Sequence, residues 1–166
     1  MRLTSRFRAS CVALAALAAL ALAAACGSTE PAFQNVPIEQ TQFADTLHID
    51  LAKFTKLPSG VYYRDTIPGP TTAAVVAAGQ TISVRYAGYF NNGARFDNNL
   101  SQPDPLTLPL NTSNLIGGWV VGLPGMKVGG TRRLIIPPEL GYGASGYGGI
   151  PPYAVLIFDV QVVSVQ

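Results

Sequence analysis

Over the last two thirds of this chain, glycine and proline recur so often that no long helix fits between them. Pro68-Gly69-Pro70, Asn91-Asn92-Gly93, Pro124-Gly125, Pro137-Pro138 and Pro151-Pro152 cut it into short pieces. Proline lacks a backbone donor and breaks helices, and glycine loses the most freedom when ordered. The pieces between these breaks are β-branched and aromatic, which suits strands. Residues 61–67 form one such run. Residues 81–89 alternate, with Ile82, Val84 and Tyr86 on one face and Ser83 and Arg85 on the other. Leu106, Leu108 and Leu110 alternate too, and Pro103, Pro105 and Pro109 put them at a sheet edge. Residues 131–136 make another strand. In residues 153–165, Ala154, Leu156, Phe158, Val160 and Val162 form an apolar face, while Asp159 and Gln161 suit a solvated back. One helix is predicted over residues 114–121, capped by Asn114, with Leu115, Trp119 and Gly122 at helical spacing. Strands do not alternate with helices, so the class is α+β, with antiparallel strands around one short helix. Residues 43–57 fit either a short helix or an edge strand.

The first 25 residues differ from the rest. Arg2, Arg6 and Arg8 precede an Ala/Leu run over residues 12–25. A basic start, a short apolar stretch and small residues before a cut make a secretory signal. A spanning helix wants about 20 apolar residues, more than residues 9–25 supply. Cys11 falls inside the signal and Cys26 at its end. Leu22-Ala23-Ala24-Ala25-Cys26-Gly27-Ser28 resembles the lipobox of bacterial lipoproteins, although Leu stands one position further from the Cys than is usual. That resemblance implies acylation of Cys26, a lipid anchor in a bacterial membrane, and a domain facing the periplasm or the cell exterior. Residues 26–42 then read as the lipidated cysteine and a flexible spacer, and residues 43–166 as the folded domain, with its core over 60–166. No second mature cysteine remains to form an internal disulfide. Without the three signal arginines, eight basic residues face nine acidic ones, so no basic excess is available for nucleic acid. Hydrophobic residues at 48% against 12% charged place the whole chain far from disordered compositions.

Familiar catalytic patterns give little. Gly141-Tyr142-Gly143-Ala144-Ser145-Gly146 matches G-x-G-x-x-G, but Gly148, Gly149, Pro151 and Pro152 prevent the helix that a dinucleotide site needs. A glycine-rich hairpin loop carrying tyrosines describes it better. His48 is the single histidine, with no Cys or His companion for a metal cluster and no partners for a Ser-His-Asp triad. No metal and no cofactor are expected.

The order of the remaining pieces is more informative. Val84-Arg85-Tyr86-Ala87-Gly88, then Asn92-Gly93 and Phe96-Asp97, resembles the FKBP family of prolyl isomerases. So do Leu115-Ile116-Gly117-Gly118-Trp119, Gly122-Leu123, residues 126–130 and residues 132–137. Tyr142-Gly143, Ile150-Pro151-Pro152 and Leu156-Ile157-Phe158-Asp159-Val160 complete the series. The resemblance runs in family order from Gly60 to Gln166. It implies a half-open antiparallel sheet wrapped around the helix, with an apolar pocket between them. Tyr86, Phe96, Leu106, Leu115, Ile116, Trp119, Tyr142, Tyr147, Ile150 and Phe158 would line that pocket or its edge. Trp119 would be the floor under a substrate proline. Ile116 N–H and the Tyr142 hydroxyl would donate to substrate carbonyls, Phe158 would wall the pocket, and Asp97 would stand at the rim. Leu106 replaces the Phe of the best-known members and Tyr147 the His of many, changes that bear on substrate preference and macrolide affinity. The implied activity is cis–trans rotation of X–Pro bonds in exported proteins. The alternative is a non-catalytic chaperone or adaptor holding Pro-containing segments in the same groove. Implied partners are Pro-containing polypeptides, macrolide immunosuppressants and the membrane, and the domain is expected to be a monomer.

Overall fold

The computed structural model describes residues 34–113 and 115–166. The expected signal over 1–25, Cys26, the start of the expected spacer and the expected cap Asn114 lie outside the described residues. Seven strands among those residues form one antiparallel sheet: β1 (Thr55–Lys56), β2 (Tyr62–Ile67), β3 (Thr81–Phe90), β4 (Arg95–Asn98), β5 (Leu106–Pro109), β6 (Thr131–Ile136) and β7 (Leu156–Val165). Their order is β1-β2-β6-β7-β3-β4, and β5 pairs with the first half of β3. One short helix, α1 (Gly117–Gly122), lies on the concave face. This is the half-open α+β architecture expected from the sequence.

The alternating positions explain the main core. Val84 and Ile82 of β3, Leu134 and Ile136 of β6, and Leu156, Phe158, Val160 and Val162 of β7 are all buried together with Trp119, Leu123 and Met126. Each such side chain contributes about 1.5–3 kcal/mol on leaving water. Helix α1 reaches the sheet through its glycines. A Cβ at Gly118 would run into the Ile136 side chain, and one at Gly122 would stand 2.9 Å from Leu134 Cδ2. Without those side chains the helix settles onto β6 and carries Trp119 into the core. Its C-terminal end is tied by Arg132, whose guanidinium donates to the carbonyls of Gly122 (2.9 Å) and Pro124 (3.1 Å). The same group pairs with Asp65 at 2.6 Å and stacks over Tyr63.

The helix begins later than expected. Ile116 occupies the N-cap position in an extended conformation (φ −62°, ψ 144°), and helical geometry starts at Gly117. Leu115 and Ile116 therefore belong to the strand-like approach, which leaves both half-buried against the core.

The outer face of the sheet departs further from the expected solvated back. Tyr62, Ile135, Val155 and Ile157 are buried there with Ile38 and Leu47 in a second core. The cover is the N-terminal segment, which forms three short 3-10 turns, Ile38–Gln40, Asp45–Leu47 and Leu51–Lys53, before β1. The expected spacer thus meets the domain sooner than residue 43: Ile38 is 3% exposed. Glu39 accepts from Lys56 Nζ and Tyr62 Oη, both at 2.5 Å, and Asn35 donates to Glu139. Further along, Arg133 pairs with Asp159 at 2.6 Å and donates to the Leu47 carbonyl. The open back expected around Asp159 is thereby closed by an ion pair and the strap, while Gln161 is exposed. The segment 43–57 is thus 3-10 turns followed by a two-residue strand.

Candidate active site

Between α1 and the middle of β3 and β7 lies a cluster of aromatic rings. Trp119 is 3% exposed at its base. Phe158 meets Trp119 edge to face at 5.4 Å and Phe96 at 5.5 Å, and Tyr86 meets Trp119 at 5.3 Å. Such perpendicular pairs favour ring edges against ring faces, each worth about 0.5–1.5 kcal/mol beyond burial. Three of the ring pairs are thus close to perpendicular, while Tyr86 and Phe158 are tilted at 52°. The indole Nε1 of Trp119 is buried with no hydrogen-bond partner, an arrangement that costs about 1–3 kcal/mol.

Backbone register places these rings. In β7, Leu156, Phe158 and Val160 share the inward face, and Gly88 of β3 sits opposite Phe158. A Cβ at Gly88 would lie 2.7 Å from Phe96 and 2.9 Å from Phe158. Glycine here lets both rings approach the strand, the usual meaning of a glycine inside a strand.

At the rim, Tyr86 donates its hydroxyl to Asp97 at 2.6 Å, and Asp97 also accepts from Asn98 N–H at 2.8 Å. Burial first, and then the hydrogen bond to Asp97, pushes the Tyr86 phenol well above its ordinary value. Burial also raises Tyr142, with Asp97 and Tyr147 adding to it. Both phenols therefore keep their protons and remain donors at neutral pH.

The structure brings together Tyr86, Phe96, Trp119 and Phe158, with Leu115, Ile116, Tyr142 and Ile150 half-buried against the same core. Asp97 stands beside them on the exposed rim. Two expected residues stand apart from that core. Leu106 is 39% exposed on β5, and Tyr147 is 72% exposed, stacked on Tyr142 at 5.6 Å and 12°. The glycine-rich segment is a loop: it includes a 3-10 turn at Gly143–Ser145, and Tyr147 bridges Ile150. It carries no helix, as expected.

Sequence reasoning gave no role to two positions that hold this rim. Asn99 is buried; its side chain accepts from Tyr86 N–H at 2.7 Å and donates to the Val84 carbonyl at 2.9 Å. It completes the ladder where β4 leaves β3, anchoring the turn that follows Asp97. Arg85 donates to the carbonyls of Gln102 and Pro103, both at 3.0 Å, tying down the next loop. Asn99 had a partial signal, a second polar residue just after Phe96-Asp97, but its bonds depend on tertiary placement. Among the described residues no group of three His, Cys, Asp or Glu side chains could hold a metal. No helix there is long and apolar enough to cross a membrane.

An open antiparallel sheet packs on one short helix, with a cluster of aromatic rings between them. The pattern of the FKBP-type peptidyl-prolyl cis–trans isomerases matches residues 73–163. An FK506-binding protein of Neisseria meningitidis serogroup B is 50% identical over 88 residues, covering 52% of this chain and 81% of that protein. Among solved structures, FkpA from Escherichia coli superposes with a TM-score of 0.64 at 33% identity, over 74% of this chain and 55% of that one. AtFKBP13 superposes with a TM-score of 0.62 at 35% identity, over 68% and 98%. The chain belongs to the FKBP-type peptidyl-prolyl cis–trans isomerase family, and it is a peptidyl-prolyl isomerase.

Proposed function

We propose that this isomerase acts on X–Pro bonds of exported polypeptides, from a position tethered to a bacterial membrane by a lipid on Cys26. The observation carrying the catalytic part is the near-perpendicular packing of Tyr86 and Phe158 on Trp119, with Ile116 and Tyr142 half-buried against the same core. The proline ring sits on Trp119 between Tyr86, Phe96 and Phe158. Rotating the preceding amide breaks its resonance, a barrier of about 18–20 kcal/mol. An acceleration of about a millionfold requires some 8 kcal/mol of that barrier. Binding that is equal in ground and twisted states lowers no barrier, so the lowering comes from interactions specific to the twisted amide. The Tyr142 hydroxyl and the Ile116 N–H are the donors assigned to substrate carbonyls, held in place before rotation begins. Asp97, fixed by Tyr86, faces the twisting bond from the rim. No covalent step occurs and no proton leaves the substrate.

The same pocket takes FK506-type macrolides, as the name of the Neisseria relative suggests for that protein. The export and anchor reading is supported by the basic start, the Ala/Leu run and Cys26 in sequence. The test of the site is Tyr142→Phe, which removes one donor and leaves the ring. It should lower kcat about tenfold with little change in KM, as expected for an interaction made mainly in the transition state. A change confined to KM would assign Tyr142 to ground-state binding instead. Mass analysis of the native N-terminus tests the anchor, which predicts diacylglycerol on Cys26; an unmodified cysteine there would contradict it.

A further inference from the structure

The N-terminal strap crosses the sheet margin between two clefts. The smaller, about 260 Å³, runs between residues 35–39, Lys56 and residues 137–139. Its polar groups are already paired with one another, Lys56 with Glu39 and Asn35 with Glu139. The larger, about 420 Å³, is lined by Val36 of the strap, Phe90 and Asn91 at the end of β3, and Pro151, Pro152 and Val155 leading into β7. No charged side chain lines it.

We infer that this second cleft is a subsite for the uncharged stretch of substrate polypeptide flanking the proline held over Trp119. Three observations carry it. The cleft adjoins the aromatic cluster: Phe90 packs on Phe96 at 4.9 Å, and Gly149 and Pro151 flank Ile150, which packs against the same core. Its floor is backbone held under strain. Tyr153 adopts φ 56°, and its N–H is fixed by the Gly143 carbonyl at 2.9 Å. A non-glycine residue held there costs on the order of 1–3 kcal/mol and persists only where surrounding contacts enforce it, often at ligand clamps. The third observation is the strap wall, which lies outside residues 73–163, the part matching the family pattern. The strap thus adds one wall, Gln34, Val36 and Thr41, to a cleft whose other lining residues lie inside the matched region.

The inference rests on the isomerase reading, and the test separates the two. Val36→Arg and, independently, Thr41→Arg place a charged side chain in the cleft from different points of the strap. Purified full chains would be assayed on a short Pro-containing peptide, which fills only the pocket over Trp119. They would also be assayed on an unfolded protein whose refolding is limited by one X–Pro bond. Both variants should keep peptide kcat/KM within about twofold while losing about fivefold on the unfolded protein, chiefly through KM. Equal losses on both substrates from both variants, or no loss on either, would overturn the subsite. A wild-type chain inactive even on the short peptide would reject the isomerase reading first and the subsite with it.

Discussion

Gly88→Ala is the smallest change that reaches the pocket walls. In extended backbone, alanine replacing glycine ordinarily stabilises, by about 0.5–1 kcal/mol, because glycine has more freedom to lose. Gly88 does not sit at positive φ, so no backbone penalty opposes that gain. The structure reverses the sign. The new methyl would stand 2.7 Å from Phe96 Cζ and 2.9 Å from both Phe96 Cε2 and Phe158 Cε1, whereas carbon atoms settle at about 3.5–4.0 Å. Both rings must give by about 1 Å, or the strand must shift. Phe158 is buried between Trp119 and Tyr86 and has little room. Phe96 is half-buried on β4, so it yields outward. Overpacking of this kind costs about 1–3 kcal/mol, which outweighs the propensity gain and lowers Tm by about 2–8 °C for each net kcal/mol lost. A 1 Å misplacement of a reacting contact costs up to about 100-fold in rate. The displaced rings are walls and not the assigned hydrogen-bond donors, so kcat/KM should fall about tenfold, short of that limit. Thermal unfolding followed by circular dichroism and a peptide isomerisation assay read both effects. An unchanged or higher Tm with unchanged turnover would refute the packing argument and the pocket wall built on it.

Four further outcomes follow from the structure. Asp97→Ala should slow turnover several-fold with little change in Tm, because the residue is exposed and such positions shift stability by less than about 0.5 kcal/mol. Phe158→Ala should cost about 3–5 kcal/mol of stability and lose more activity than Asp97→Ala; equal rates for both variants and wild type would reject the site assignment. Asn99→Ala leaves the Tyr86 N–H and Val84 carbonyl without the partner they have now, at about 1–3 kcal/mol for each buried group left unpaired. Loss of kcat alongside Tm would show that Tyr86 and Asp97 have moved, whereas Tm loss alone would confine Asn99 to folding. Hydrogen bonds from Lys56 and then Tyr62 hold Glu39 at about 2, below the ordinary 4.5. A carboxylate with a depressed folded value stabilises the fold above its ordinary value, and that contribution is lost as pH falls toward the folded one. Glu39→Gln should therefore flatten the pH dependence of unfolding between those two values. An unchanged slope would show that the Glu39 cluster does not hold the strap.

Strands β2, β3 and β6 were legible because alternation and turn residues agree locally, as with Ile82 and Val84 before Asn91-Asn92-Gly93. The rings of the pocket were legible only through the order of many weak pieces. Their spacing in sequence, from Tyr86 to Phe158, says nothing by itself about meeting at right angles. The strap was not legible. Short 3-10 turns have no long periodicity, Ile38 looks like an isolated apolar residue, and Leu47, Ile49 and Leu51 fit a strand as well as a turn. A signal did exist on the other side: Ile135 and Ile157 point to the outer face and are fully apolar, so something had to cover them. The late start of α1 has a similar cause. Leu115 and Ile116 have good helical composition, but the close seating of Gly118 and Gly122 on β6 sets where the helix can begin. Asn99 and Arg85 were given no role in the site because a polar residue beside a turn or on a strand's polar face is ordinarily solvated, and only the fold gives them their partners.

The central claim, rotation of an X–Pro bond in the pocket over Trp119, is tested most directly by exchange spectroscopy. A short peptide with one X–Pro bond would be observed by NMR with a catalytic amount of the chain. Uncatalysed, the two forms interconvert in tens to hundreds of seconds. The account predicts exchange cross-peaks between cis and trans signals on the subsecond scale, with the cis-to-trans ratio unchanged. Peptide shifts that report binding, with no exchange above the uncatalysed rate, would contradict it.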